Sequence, residues 1–289
     1  MSNSIFGSSH KRPYFEGWYF KHQSPGHTLI LIPAWHVDDK GGSYGSLQVI
    51  LDDHVHRITF PSQECHIAKD RFHIRFGQTV FSEKGCRLHL DLTSTLIIRG
   101  HLYYGTWHRP VRSFMGPFRY LPLPCRHEVL SLSHHLRGQV LVGEDIWDFH
   151  DGTGYIEKDW GYEFPSHYLW IQGDNFMLTI VDLSTHRRRF LACSSLLRHE
   201  GKQYRLSTYQ GARLNRHGSR RIDVTQGPYR LQITLPDKPT ASVPLLAPKA
   251  GSMIRIIEEY PRYPLQCRLY RGKELIFDQE SPYGSYELA

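Results

Sequence analysis

Residues 86–100 read CRLHLDLTSTLIIRG. Leu88 and Leu90 alternate with Arg87, His89 and Asp91, a period of two that puts apolar side chains on one face of a strand. The same alternation recurs in RFHIRFGQTVF (71–81), EVLSLSHHLRGQVLV (128–142), FMLTIVDL (176–183), YRLQITL (229–235) and CRLYRGKELIFD (267–278). Turn-forming clusters separate these runs, among them Asp38 to Gly42, Glu83-Lys84-Gly85, Arg198 to Lys202 and Arg271-Gly272-Lys273. Amphipathic helices are nearly absent, and the best candidate, GSMIRIIEEY (251–260), is short. Many short strands between turns predict an all-β architecture of barrels or sandwiches. Two Pro-rich stretches, GPFRYLPLPC (116–125) and LPDKPTASVPLLAPK (235–249), interrupt the pattern. Proline cannot donate within a central ladder, so these read as a linker or mouth-covering segment and as a long loop.

The chain has 289 residues, enough for two domains. Thirty-five Lys and Arg against 28 Asp and Glu leave a formal charge of +7, with 19 His besides. A basic surface allows anionic partners, and peripheral contact with a membrane surface stays open. The dense basic runs, His186 to Arg189 and Arg213 to Arg221, sit in turn-like settings without a recognition helix or zinc-finger spacing. Nucleic acid is therefore not an expected partner. Five cysteines at wide spacing with no CxxC pair speak against a disulfide framework and for a reducing cytoplasm. The N-terminal MSNSIFGSSHKRPYF lacks the apolar core of a signal peptide. The longest apolar run, LILIPAW (29–35), is far below the ~20 residues of a spanning helix.

The most unusual stretch is GYIEKDWGYEFP (154–165), with Glu157, Lys158 and Asp159 consecutive among aromatics. It is echoed at the N-terminus by YFEGWYF (14–20): each has an aromatic before a Glu, then a Trp beside a Gly. Taken together, PYFEGWYFK (13–21), GPFRYLPLPCRHEV (116–129) and GYIEKDWGYEFPSHYLWIQGDNF (154–176) resemble the tocopherol cyclase family in its bacterial branch. The third motif is the most specific, through Glu157-Lys158, Trp160-Gly161, Phe164-Pro165, Trp170 and Gln172. The family is similar in turn to lipocalin-like carotenoid-hydrating proteins. The resemblance implies two lipocalin-like antiparallel β-barrels in tandem, with domains expected at 1–125 and 126–289. The second would carry the EKDWG motif. It further implies a cavity for a hydrophobic small molecule and acid/base cyclisation or hydration of an isoprenoid or prenylated quinol, without a cofactor.

That chemistry needs an acid, a base and a surface that tolerates developing positive charge. Burial raises the pKa of a carboxyl, and two carboxyls close together push one higher still. Glu157 and Asp159 are the acid/base candidates. In an extended strand they share a face with Tyr155, while Lys158 and Trp160 share the other. The reading preferred here puts Glu157 and Asp159 inside the barrel. The opposite register would put Lys158 inside with Trp160 as an anion or carbonyl anchor. Trp160, Tyr162, Tyr168 and Trp170 could stabilise a cation through their ring faces. Phe164 and Gln172 complete the expected ligand contacts.

Arg126-His127-Glu128 forms a second constellation. His127 can shuttle protons near neutral pH, but strand neighbours point to opposite faces, so His127 and Glu128 are not expected to pair directly. Arg126 and His127 join the ligand-contacting candidates, with an ion pair as the plainer account of Arg126 and Glu128. Trp18 is expected as a core plug that could also meet a ligand, and Glu16 as a buried carboxyl bonded to backbone or to an Arg. No HExxH or same-face His pair has a third ligand nearby, so no metal site is expected. GxSxG and GxGxxG are absent. A non-catalytic lipid carrier is the rival to the enzyme.

Overall fold

The computed structural model describes residues 13–183, 190–217, 220–236 and 241–289. Among them there is no α-helix, only short 3-10 turns at Ser62–Glu64, Gly116–Tyr120 and Thr208–Gln210. Among the described residues no helix is long and apolar enough to cross a membrane. The strands form two nearly closed antiparallel barrels in tandem. The short helix candidate at 251–260 lies instead within an extended strand, Ser252–Arg271. The basic run 186–189 falls outside the described residues, as does residues 218–219 of the run Arg213–Arg221, residues 237–240 of the second Pro-rich stretch and the N-terminus up to residue 12.

The chain divides into two units, 1–109 with 124–164 and 246–255, and 110–123 with 165–245 and 256–289. The boundary expected at 125/126 therefore lies inside the first unit, and the EKDWG motif belongs to the first barrel. The cause is a long-range pairing. The first strand, Tyr14–Gln23, is flanked on one side by Thr28–Val37 and on the other by Thr153–Gly161, which in turn pairs with Cys125–Val142. Residues 125–161 thus continue the sheet that the N-terminus begins, and no local turn signal announces such a partnership.

In the first barrel Trp18, Phe20, Leu29, Leu31, Leu47, Val49, Phe76, Phe81, Leu88, Leu102, Leu136, Val140 and Ile156 form the core. The second barrel buries its own set, including Leu169, Ile171, Leu178, Ile222, Leu231, Cys267 and Leu269. The alternation at 86–100 appears as expected: Leu88 and Leu90 are buried and Arg87 and Asp91 exposed. All five cysteines are free.

Several strands depart from half-burial, among them the two that carry the candidate site. Tyr14–Gln23 is buried at nine of ten positions, and Thr153–Gly161 is buried continuously from 154 to 158. Both faces of these central strands are covered, so their sequences read as near-continuous apolar runs with polar groups embedded in them. Gly161 ends the second of them at φ +155°, where an added Cβ would lie 2.1 Å from the Pro124 carbonyl oxygen. Gly161→Ala is expected to destabilise the first barrel by about 1–3 kcal/mol through that clash and the unfavourable φ, read as a lowered midpoint in denaturant unfolding.

Candidate functional site

Register decides what each polar side chain meets. Tyr14–Gln23 and Thr153–Gly161 run antiparallel with Glu16 opposite Trp160, Trp18 opposite Lys158, Tyr19 opposite Glu157 and Phe20 opposite Ile156. On the other flank Arg126 is opposite Trp160, His127 opposite Asp159, Glu128 opposite Lys158 and Val129 opposite Glu157. Directly opposed residues share a face. Trp18, Phe20 and Ile156 belong to the barrel core, so Lys158, Trp160, Glu16, Arg126 and Glu128 lie on the core side. Glu157, Asp159, Tyr155 and His127 lie on the opposite face. This corrects the expected register: Lys158, not the carboxyl pair, looks toward the barrel interior. Because both faces are buried, alternation alone carried no sign of which was which.

On the core side Lys158 Nζ lies 2.5 Å from Glu16 Oε1, and Tyr14 donates its hydroxyl to Glu16 Oε2 at 2.6 Å. Lys158 and Tyr14 are thus partners of Glu16 that the sequence reading did not name. The ammonium sits 5.4 Å from the Trp18 ring centre and 5.0 Å from that of Trp160, within cation–π range. Burial lowers the Lys158 pKa, and the Glu16 charge and hydrogen bond oppose that shift. Trp18 is a core residue, as expected, and its indole N–H has no hydrogen-bond partner among the described residues.

The opposite face brings an imidazole, two carboxyls and a phenol together. His127 Nδ1 lies 2.9 Å from Asp159 Oδ1, and His127 Nε2 lies 3.5 Å from Glu157 Oε2. Tyr155 donates its hydroxyl to the same Glu157 oxygen. The Cys125 thiol is 3.8 Å from Asp159 Oδ1. The side chains of His127, Glu157 and Asp159 are 15%, 6% and 20% exposed. Burial would lower the His127 pKa, but the charges of Glu157 and Asp159, the hydrogen bond to Asp159 and the charge of Glu128 outweigh it and raise it to about 9. The imidazole is therefore a cation at neutral pH. Burial and the Glu157 charge hold the Tyr155 phenol protonated. Burial and the Asp159 charge do the same for the Cys125 thiol, which removes it as a nucleophile.

His127 was expected as a ligand contact, and its place between the two carboxyls was not foreseen. It arises only because Cys125–Val142 pairs with Thr153–Gly161 in this register. Tyr155 and Tyr14 were also missed as hydroxyl donors. The signal was present as Tyr-x-Glu at 14–16 and again at 155–157. Tyr162 is 46% exposed, and its backbone N–H and carbonyl bond Pro124 and Gly251. Phe164 packs edge-on against Phe15 at 5.4 Å. Trp170 and Gln172 are buried on Tyr168–Gly173, a strand of the second unit, on the face opposite its core residues Leu169 and Ile171. Tyr168, on the same strand, donates to Glu287.

His127, Glu157 and Asp159 also have the spacing of a cation site, with one ligand atom each within 4.8 Å of the others. A cation there would have to displace the His127 proton, since only neutral imidazole ligates.

These shifts set the pH dependence of stability. The folded His127 pKa of about 9 lies above its ordinary 6.5, so its contribution is fully present below pH 6.5 and disappears as pH rises to about 9. His22, His36 and His134 behave oppositely. Burial pushes them down to about 4, 3 and 3, so the unfolded chain takes up more protons and stability falls as pH drops below 6.5. Thermal unfolding across pH 4–9 is expected to show a maximum near 6.5, and His127→Gln should flatten the alkaline side alone.

No protein-family model matches the chain, and no curated protein matches it. Solved structures do. An AttH-type protein from Nitrosomonas europaea superposes with a TM-score of 0.59 at 12% identity, covering 100% of this chain and 96% of its own. CghA with Sch210972 gives 0.57 at 10% identity, covering 96% and 88%. Kievitone hydratase from Nectria haematococca gives 0.52 at 11% identity, covering 100% and 93%. The likeness shows the fold. The chain has the lipocalin-like two-barrel architecture of these proteins.

Proposed function

We propose that this protein is an acid/base enzyme that cyclises or hydrates a hydrophobic molecule carrying an ionisable oxygen and a double bond. A prenylated quinol or related isoprenoid is the substrate class that the tocopherol cyclase resemblance suggests. One observation carries the reading: a histidine held between two carboxylates in a largely buried setting, an arrangement with no evident need in a strand that merely closes a barrel. A structural neighbour named as a hydratase supports the reaction class, and five free cysteines suit a reducing cytoplasm.

In this proposal Asp159 is a positioning residue. It fixes the His127 ring through Nδ1 and stabilises the imidazolium, leaving the Nε2 edge and Glu157 to exchange protons with the substrate. Tyr155 holds the Glu157 carboxylate in place. An imidazolium with a pKa near 9 is a weak acid, so proton delivery to the alkene is coupled to attack by oxygen rather than preceding it through a free carbocation. Glu157 takes the proton of a phenol or water, that oxygen bonds to one carbon of the double bond, and the imidazolium delivers its Nε2 proton to the other carbon. Glu157 then passes its proton to His127 Nε2, 3.5 Å away, so cyclisation is a net isomerisation and hydration adds one water. Lys158, on the core side, is assigned to holding the strand pair together rather than to this chemistry.

The test is to incubate the protein with a prenylated quinol and with an apolar extract of host cells, then analyse by mass spectrometry. A product of unchanged mass and altered retention marks cyclisation, and a mass gain of one water marks hydration. A ligand bound and released unchanged would overturn the enzyme in favour of a carrier.

A further inference from the structure

Neighbouring strands of the first unit carry a basic outer face that no single stretch of sequence displays. His73–Phe76, Thr79–Ser82, Gly85–Asp91, Ile97–Tyr104 and the 136–142 part of Cys125–Val142 pair in that order. Directly opposed residues share a face. One row across the sheet therefore runs Arg75, Val80, Arg87, His101 and Gln139, and the row beside it sets Tyr103 opposite Arg137. The residues that alternate with them, among them Phe76, Phe81, Leu88, Leu102 and Val140, belong to the core, so this face looks away from it. Arg87, His101, Tyr103 and Arg137 are exposed and Arg75 is half-buried.

The carboxylates on this face are already engaged. Asp91 pairs with Arg99. Asp148, at the far edge opposite Gln139, accepts from the His150 N–H at 2.9 Å and meets His150 Nδ1 at 2.6 Å. Glu83, in a turn at the border, is held by Arg109 at 2.6 Å. The same sign of charge continues past Arg75: after burial, the charges of Arg71, His66 and Arg75 lower the His73 pKa. At the centre, the His101 and Tyr103 rings stack with 4.3 Å between their centres, and Tyr103 is 55% exposed. Arg87 stands one strand away beside His101, and Arg137 stands one strand away on the other side, beside Tyr103. Strands about 4.8 Å apart thus put a cation on each flank of an exposed ring pair.

We propose that this face binds single-stranded nucleic acid, a base extending the His101–Tyr103 stack and phosphates lying against Arg75, Arg87 and Arg137. Aromatic platforms bordered by cations hold single strands because every base offers a π-face, which a duplex hides. An acidic protein segment would satisfy the arginines but leave the exposed ring pair unused. The basic runs of the sequence take no part, since the face is gathered from alternate residues of separate strands. The inference stands apart from the acid/base reading and uses none of its residues.

Fluorescence anisotropy of a labelled oligouridylate, titrated with the full chain, tests this. The single strand should bind at low salt, and a duplex of the same length should bind far more weakly. The logarithm of the affinity should fall with the logarithm of salt concentration with a slope of about −2, from ~0.7 for each phosphate neutralised by the three arginines. Arg87→Gln and Arg137→Gln should each reduce that slope by about 0.7. Tyr103→Ala should raise Kd roughly tenfold and leave the slope unchanged. The thermal midpoint should stay the same in all three variants, since the altered side chains are exposed. No binding of the oligouridylate at low salt overturns the proposal, as does equal affinity for the duplex or an unchanged Kd in Tyr103→Ala. Displacement by polyglutamate as effective as by unlabelled oligouridylate would also overturn it, assigning the face to an acidic protein partner.

Discussion

Glu16→Ala is expected to lower the unfolding midpoint by roughly 6–20 °C, corresponding to about 3–5 kcal/mol for a buried ion pair broken from one side. Glu16 is fully buried and the Lys158 side chain is 9% exposed. Removing the carboxylate strands an ammonium between Trp18 and Trp160 with its main counter-charge gone, and the Tyr14 hydroxyl loses its acceptor as well. Lys158 then either stays charged at a high desolvation cost or gives up its proton. The attraction within the pair largely offsets the cost of burying it, so replacing both members should be far milder. Glu16→Leu with Lys158→Met is expected to recover most of the loss. If the double variant is as unstable as Glu16→Ala alone, the charges are not the cause, and packing around Trp18 is.

Asp159→Asn is expected to lower the rate of product formation by about 10²–10⁴-fold with little change in stability beyond that of the lost charge. Asparagine still offers an oxygen to His127 Nδ1, so the ring stays in place, but the charge that keeps it protonated is halved. The pH profile should shift with it, the alkaline limb moving to lower pH as the His127 pKa falls. His127→Gln should cost a similar factor, and the double variant little more than either single, because the two residues act as one unit. A rate unchanged in Asp159→Asn would remove the relay from the mechanism. Glu157→Gln separates the roles further: it should lower the rate without changing the geometry of the Asp159–His127 bond.

The sequence made the architecture legible where strands are half-buried. Alternation at 86–100 and 267–278 assigns strand and face together, because one side meets the core and the other meets water. It failed at the two strands that matter most. Tyr14–Gln23 and Thr153–Gly161 are covered on both faces, so period two locates Glu157 and Asp159 together, and Lys158 apart from them, without saying which side faces the core. Glu157 and Asp159 were legible as a pair for the same reason. His127 was not legible as their bridge, since that depends on a register between segments about thirty residues apart in the chain. The domain boundary was misplaced by the same kind of long-range pairing, which brings 125–161 back to the N-terminal strand. Trp170 and Gln172 follow Glu157 closely in sequence yet belong to the second unit, because the chain leaves the first barrel just after Phe164.

The account rests on His127 being a cation held between Asp159 and Glu157, and the imidazole nitrogens report this directly. In a nitrogen-15 NMR titration of the histidine rings, with His127→Gln used for assignment, the His127 signal should show both nitrogens protonated at pH 7. It should titrate near the value of about 9 that its surroundings impose. A neutral His127 at pH 7, titrating at or below its ordinary 6.5, would contradict the account.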